Sequence, residues 1–377
     1  MNVGRNDVVL LTPPGRGAIA SVLVAGPDAV GIVARWFHPT GRKPLAEQPL
    51  GRILVGRWRD SDGEEVVACR RSSERIEIHC HGGTAAVTAI LNDLAGSDCP
   101  QTDWRGWLRR SEADPLRAAA SVALAEATTE RSAAILLDQY AGALRRAVDN
   151  LLREIDLGNA EQAADAIRTL LRFAPVGLHL VEPWRVVLAG RPNVGKSSLV
   201  NALLGYRRSI VFATPGTTRD VVTAAAALDG WPVELADTAG LHDGGEAIEA
   251  AGIERARGRL VTADCVVLVF DAAQSWTPAD EQLANAWPSA LRVHNKCDLP
   301  CELAARPEGL QTSATTGDGV PRLAAAIARH LVPDPPPPGT AVPFEPAQVA
   351  VLSAALGAVI SREASRAAAC LVSLLTP

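Results

Sequence analysis

The chain has 377 residues, 47% of them hydrophobic and 21% charged, with a formal net charge of −5. That length predicts two or three domains with real cores, and the composition is that of a globular protein. The negative balance excludes an overall electrostatic pull toward nucleic acid or an anionic membrane, so any RNA contact must be a local patch. Seven cysteines in no Cys-x-x-Cys or Cys/His ligand pattern predict reduced thiols. No run reaches the ~18 apolar residues of a membrane span, and Met1 to Asp7 carry no apolar signal-peptide core. The expected location is the cytoplasm, with no membrane partner.

Val8 to Leu11 reads as a strand, Thr12-Pro13-Pro14-Gly15-Arg16-Gly17 as a turn and Ile19 to Val24 as a second strand. A helix from Asp28 to Trp36 and a strand from Arg52 to Trp58 follow. Asp62-Gly63 then signals a hairpin into Glu65 to Cys69. Ile76 to His79 reads as a strand ending in Cys80-His81-Gly82-Gly83, before a helix from Ala85 to Leu94. A His-Gly-Gly at such a junction is either a ligand-binding turn or a tight turn around a satisfied histidine. No further ligand stands at metal spacing from His79, Cys80 and His81.

Residues 104 to 174 are rich in alanine and leucine. Ala133, Leu136, Leu137, Tyr140 and Leu144 recur at helical spacing. Leu151, Leu152 and Ile155 continue the stripe, as do Ala163, Ile167, Leu170 and Leu171 after Gly158-Asn159, which predicts a helix pair in a bundle. Pro333-Asp334-Pro335-Pro336-Pro337-Pro338 reads as a semi-rigid linker. One last amphipathic helix, Pro346 to Leu375, is expected to pack back on the earlier helices and leave residues 182–332 as an inserted domain.

The most informative stretch is Gly190-Arg191-Pro192-Asn193-Val194-Gly195-Lys196-Ser197, with an apolar strand before it and Leu199, Val200, Ala202, Leu203 and Leu204 at helical spacing after it. This is the G-x-x-x-x-G-K-[ST] pattern in its strand–helix setting. The glycines let successive N–H groups of the turn, including those of Val194, Gly195 and Ser198, face a phosphate at a helix N-terminus. Lys196 would reach the β- and γ-phosphates and the Ser197 hydroxyl would hold Mg²⁺. Downstream, Thr214-Pro215-Gly216-Thr217-Thr218-Arg219-Asp220 suits a switch loop ordered by the γ-phosphate. Asp237-Thr238-Ala239-Gly240 ends a strand, with Asp237 placed for a water-mediated Mg²⁺ contact and the Gly240 N–H for the γ-phosphate. Asn295-Lys296-Cys297-Asp298 follows another strand. A carboxylate at Asp298 can accept both N1–H and the exocyclic amine of guanine, which adenine cannot match. Ser313-Ala314 would reach the guanine O6 through backbone N–H groups. These motifs, in this order and each at a strand end, predict a guanine-nucleotide-binding domain that takes GTP and GDP.

Leu241 stands where Ras-like enzymes carry a water-orienting glutamine. The charge between β- and γ-phosphates needs a cation. Arg219 could supply it as a finger, or Asn193 could ligate a monovalent cation in its place. Glu249 is a downstream carboxylate that a moving switch could bring to a water, or else it is an ordinary exposed helical glutamate.

Together these residues resemble the tRNA-modification GTPase family called MnmE or TrmE. The likeness runs through Thr12 to Gly17, Glu77-Ile78-His79-Cys80-His81-Gly82-Gly83, Gly190 to Ser198, Gly216 to Asp220, Asp237 to Leu241 and Gly252-Ile253-Glu254-Arg255. The resemblance implies an α/β fold in which a Ras-like P-loop G domain with a mostly parallel sheet is inserted into an α-helical domain, after an N-terminal mixed α/β domain. It implies a folate-binding-like dimerisation domain at 1–102, a helical domain at 103–181, the G domain at 182–332, and a Pro-rich linker with the second helical part at 333–377. It further implies a homodimer with K⁺-stimulated GTP hydrolysis, Asn193 holding K⁺ with help from Phe212, Thr214 and Thr217. Ser197 and Thr218 would hold Mg²⁺, and Glu249 would orient the water. The implied partners are an MnmG-like flavoprotein and tRNA modified at its wobble uridine, with a 5-formyl-tetrahydrofolate-type folate donating the one-carbon unit. A GTPase switch for another partner, such as ribosome assembly, and a nucleotide-dependent non-catalytic scaffold are the alternatives.

The chain also departs from that family. It ends Cys370-Leu371-Val372-Ser373-Leu374-Leu375-Thr376-Pro377 in place of Cys-x-Gly-Lys, so Cys370 reads as a buried helix cysteine. Leu23 replaces a folate-contacting arginine, and Glu77 is the folate contact that remains. Arg71-Ser72-Ser73-Glu74 replaces a Thr-Gly-Glu-Asp run, and Arg105-Gly106-Trp107-Leu108-Arg109-Arg110-Ser111-Glu112 replaces Arg-Ala-Phe-x-Asn-Gly-Lys.

Overall fold

A computed structural model describes residues 4–13, 17–60, 62–97, 99–205, 223–237, 262–300 and 306–376. They form two compact units, one up to residue 122 and one over residues 123–376.

The first unit is built on β1 (Asp7–Leu10), β2 (Ile19–Ala25), α1 (Ala29–Ala34), β3 (Phe37–Pro39), β4 (Ile53–Trp58), β5 (Glu65–Arg70), β6 (Arg75–His81) and α2 (Thr84–Ala95). The strands pair antiparallel in the order β1-β2-β6-β5-β4-β3. Along β4 the side chains alternate exposed and buried, the period of a strand with one face on a core. On the inner face Val22, Val24, Phe37, Trp58, Ile76 and Ile78 pack with Ile32 and Val33 of α1 and Ile90, Leu91 and Leu94 of α2. A further helix, α3 (Trp104–Ser111), packs against β1, and Thr102 Oγ1 donates to Asp7 Oδ1 at 2.6 Å. Those contacts carry the unit past the boundary expected at residue 102.

After α4 (Pro115–Glu126), the second unit begins its helices with α5 (Glu130–Tyr140), α6 (Ala143–Asp156), α7 (Ala160–Arg172) and α8 (Ala174–Leu178). The stripe read as one helix across Tyr140 is two. Gly142 takes φ +89°, where an α-helix cannot continue, and its N–H closes onto Gln139 O. Then come β7 (Trp184–Ala189), α9 (Lys196–Leu204), β8 (Thr223–Leu228), β9 (Trp231–Asp237), β10 (Cys265–Asp271), α10 (Pro278–Ala286), β11 (Leu291–Asn295), β12 (Leu310–Gln311) and α11 (Val320–Leu331). Their sheet runs β12-β11-β10-β7-β9-β8, parallel except for β8, which pairs antiparallel to β9 through the Asp229-Gly230 turn. All seven residues of β10 are buried, as expected of an inner strand covered on both faces.

Residues 333–345 are more than a linker. Gln139, 2% exposed, donates to Thr340 O at 3.0 Å and accepts from Val342 N–H at 3.1 Å. Val342 and Phe344 are buried, and the Gly339 N–H donates to Asp138 at 2.7 Å. The terminal helix read as continuous is α12 (Pro346–Ile360), packed on α7, and α13 (Ala364–Val372), packed on α6. The break is a Schellman turn: Glu363 N–H donates to Ala358 O, Arg362 N–H to Val359 O, and Arg362 takes φ +59°. Cys370, expected to be buried, is half-buried on α13.

Candidate nucleotide-binding site

The parallel strands β7, β9, β10 and β11 end together, and residues 190–197, 237, 271 and 295–298 lie at those carboxyl ends, where open α/β sheets bind ligands. The loop after β7 turns sharply because two of its glycines face backbone or side chain at close range. A Cβ on Gly190 (φ +155°) would stand 2.2 Å from Val269 O, and one on Gly195 (φ +93°) 2.4 Å from Asn295 Nδ2. Gly195 also opens α9, so the loop delivers the helix N-terminus to the cradle. Lys196 is 5% exposed, and its Nζ donates to Gly190 O at 3.0 Å and Arg191 O at 2.9 Å, bridging the loop. Burial lowers the Lys196 pKa, with Asp237 opposing that shift. Val194 is buried, whereas Asn193, Ser197 and Ser198 are exposed. The Ser197 hydroxyl donates to Asp237 Oδ2, so two hard oxygen donors meet at the end of β9.

Asn295, 1% exposed, joins three segments. Its Nδ2 donates to Val194 O at 3.0 Å, while its Oδ1 accepts from Ala314 N–H at 3.1 Å and from Thr312 Oγ1 at 3.2 Å. Lys296 crosses the same gap: its Nζ donates to Asn193 O at 2.7 Å and lies 2.7 Å from Asp271 Oδ2. Both Asn193 (φ +63°) and Lys296 (φ +67°) hold left-handed backbone, uncommon for non-glycine residues. Asp298 is exposed beside them. The Ser313 N–H, expected at the guanine O6, instead donates to Asp318 O at 2.9 Å, because Ser313 is fully buried and starts a tight turn. The Ala314 N–H is given to Asn295, so a base carbonyl would share it. Phe212, Thr214, Thr217, Thr218, Arg219, Thr238, Ala239, Gly240, Leu241 and Glu249 lie outside the described residues.

Asp271 is a site residue that the motif reading did not single out, although a carboxylate closing an all-apolar strand was the available signal. Arg306 holds the turn after it, donating to Asp271 O at 2.7 Å, to Ala272 O at 2.9 Å and to Gln274 O. In the first unit, Glu77 accepts from Arg71 Nε at 2.8 Å, on the sheet face where Leu23 stands opposite it in register. His79 Nδ1 is 2.8 Å from Ser21 Oγ, and His81 Nδ1 pairs with Glu64. The His-Gly-Gly turn therefore carries engaged histidines.

Sheet order, phosphate loop and the Asn295 tie define a P-loop GTPase. Residues 185–296 match the profile of the 50S ribosome-binding GTPase family. The tRNA modification GTPase MnmE of Chloroflexus aurantiacus is 34% identical, over 87% of this chain and 82% of that protein. The proteins of the same name from Synechococcus sp. strain RCC307 (33%, 84% and 78%) and Latilactobacillus sakei (32%, 84% and 79%) agree. The chain belongs to the tRNA modification GTPase MnmE family.

Proposed function

We propose that the chain hydrolyses GTP in a K⁺- and Mg²⁺-dependent cycle activated by dimerisation, and that it acts in tRNA wobble-uridine modification with an MnmG-like flavoprotein. The observation that carries this reading is the Asn295 bridge, which sets a phosphate cradle and a base-reading loop at fixed separation within a chain of this family. Lys196 meets the phosphates by exchanging its two loop carbonyls for anionic oxygens, which lifts the cost of its buried charge. Asp298 reads the guanine edge, and the Ala314 N–H serves the base carbonyl.

The Ser197–Asp237 pair supports a Mg²⁺ site, completed by Thr218. The side chain of Asn193 makes no hydrogen bond among the described residues, which leaves its amide oxygen for K⁺ beside Phe212, Thr214 and Thr217. These cations supply charge neutralisation at the phosphates. Thr238, Ala239 and Gly240 then line the γ-phosphate and Glu249 orients the water. For a 5-formyl-tetrahydrofolate-type folate, Glu77 offers an acceptor, and Arg71 returns from the β5–β6 turn a guanidinium that Leu23 does not provide. Exposed Ile19, Ile53 and Val55 share that outer sheet face and support a homodimer formed through it. The G domain is read as residues 182–332, inserted between the helices at 103–181 and the segment 333–377.

Hydrolysis in KCl against NaCl tests the reading. Wild type should be faster in KCl, and Glu249→Ala should lose about 10²-fold or more. Wobble-uridine analysis of tRNA from a deletion strain should show the modification missing, and an unchanged profile removes that part of the proposal. The match of residues 185–296 to a 50S ribosome-binding GTPase profile favours a second reading, a GTPase switch in ribosome assembly. Recovery of ribosomal subunits without an MnmG-like flavoprotein would support it. Equal rates in both salts and an inert Glu249→Ala would leave a nucleotide-dependent scaffold.

A further inference from the structure

Helix α3 places three arginines and two tryptophans in eight residues, and none of the eight is fully buried. Its N-terminus is already satisfied, since Asp103 accepts from the N–H groups of Arg105 (3.1 Å) and Gly106 (3.3 Å). The chemistry therefore lies in the side chains. The Arg105 guanidinium lies 4.7 Å from the Trp104 ring centroid, and that of Arg75, at the start of β6, lies 5.4 Å from the Trp107 centroid. Beside Trp107 is a cavity of about 260 Å³ lined by Arg5, Asp7, Glu74, Arg75, Trp107 and Arg110 among others. Asp7 is bracketed by Arg5 at 3.2 Å and Arg110 at 3.3 Å. Arg105 also lies 3.8 Å from Asp103. Yet with Arg105 and Arg109 exposed on the helix, the arginines around the cavity (Arg5, Arg75, Arg105, Arg109 and Arg110) outnumber the carboxylates of Asp7, Glu74 and Asp103, on a chain whose net charge is −5.

We propose that this cavity and the arginine face of α3 form an RNA-contact site that takes one unpaired nucleotide of a loop. The base stacks against the Arg75–Trp107 pair, and the flanking phosphates lie on Arg105, Arg109 and Arg110. The volume suits one base, not a duplex. Aromatic and guanidinium planes are the surfaces on which splayed RNA bases stack, and arginines supply the counter-charge. The inference rests on the tRNA reading above and assigns it a surface in the N-terminal unit, made of residues that take no part in the nucleotide site.

The test is anisotropy of a 5′-labelled unmodified tRNA transcript against the full chain with GDP, at several KCl concentrations. Trp107→Ala should weaken binding about tenfold, and Trp107→Phe should retain most of the affinity. Arg105→Ala and Arg109→Ala should each lower the salt slope by about one, with GTP hydrolysis unchanged as the folding control. If Trp107→Ala does not fold, the two surface arginine variants decide the matter. Wild-type binding with these variants equal in affinity and slope overturns the site while leaving the tRNA reading intact. No wild-type binding at all overturns both. Polyglutamate competing as well as polyuridylate would mark an acidic-protein surface and overturn the RNA assignment.

Discussion

Gly195→Ala puts a methyl group where Asn295 works. The backbone there is left-handed at φ +93°, and the new Cβ would lie 2.4 Å from Asn295 Nδ2, the atom that donates to Val194 O at 3.0 Å. The conformation alone costs about 1–2 kcal/mol for an L-residue. Displacing the amide forfeits one buried hydrogen bond, about 0.5–1.5 kcal/mol. The nucleotide-free loop can relax to escape both terms, and binding forces them back. GDP should therefore bind about 2–3 kcal/mol more weakly, roughly 30- to 150-fold, in a titration with fluorescent GDP. A double-mutant cycle isolates the contact. In an Asn295→Ala background only the backbone term remains, so Gly195→Ala should cost about 1–2 kcal/mol there, a coupling of about 1 kcal/mol. Strict additivity of the two substitutions would refute the clash as the cause.

Gln139→Ala leaves the fully buried Val342 N–H without its acceptor, a penalty of about 1–3 kcal/mol. The calorimetric transition should fall by several degrees, at about 2–4 °C per kcal/mol, with GDP affinity at 25 °C unchanged. Burial holds the His294 imidazole below its ordinary 6.5, partly opposed by the bond to Pro307 O. The unfolded chain therefore takes up this proton first on acidification. The stability from this group is whole above pH 6.5 and is lost as pH falls from there toward the folded pKa. His294→Gln should flatten that part of the stability–pH curve, and an unchanged slope would refute the assignment. Burial pushes the Cys99 and Cys265 thiols up to about 12. At pH 8 both should resist iodoacetamide until the chain unfolds, whereas half-buried Cys297 reacts, as peptide mapping will show.

The phosphate loop was legible because each of its positions answers a chemical need that few residues meet. Gly190 and Gly195 face atoms too close for a Cβ, and Lys196 and Ser197 carry the groups a phosphate and its counter-ion require. The strands β7, β9 and β11 were legible as apolar runs ending at motifs, and β10 as an apolar run alone. Strand β8 was not, because Thr-Ala-Ala-Ala-Ala-Leu has a single β-branched residue, Thr223, and no aromatic one. The Asp229-Gly230 pair that folds it onto β9 is nevertheless a hairpin signal. The end of α5 had its marker in Gly142, hidden by a stripe that keeps its spacing across the break. The end of α12 had none, since Arg362 takes the left-handed position that glycine usually fills. The docking of residues 339–344 on Gln139 joins positions some two hundred apart in sequence, which no local pattern encodes. Asp271 escaped because its partner, Lys296, comes from the loop after another strand, β11.

Asn295 works as a caliper, through the two ends of its side-chain amide. With one arm on Val194 and the other on Ala314, it fixes the gap between two jaws before any nucleotide arrives. A ligand spanning that gap pays little to order the site, whereas a nucleoside or a bare pyrophosphate grips one jaw and forgoes the benefit of their fixed spacing. Such a site measures length as well as chemistry. Guanosine and pyrophosphate added together should fall far short of GDP, by the effective concentration that the caliper confers.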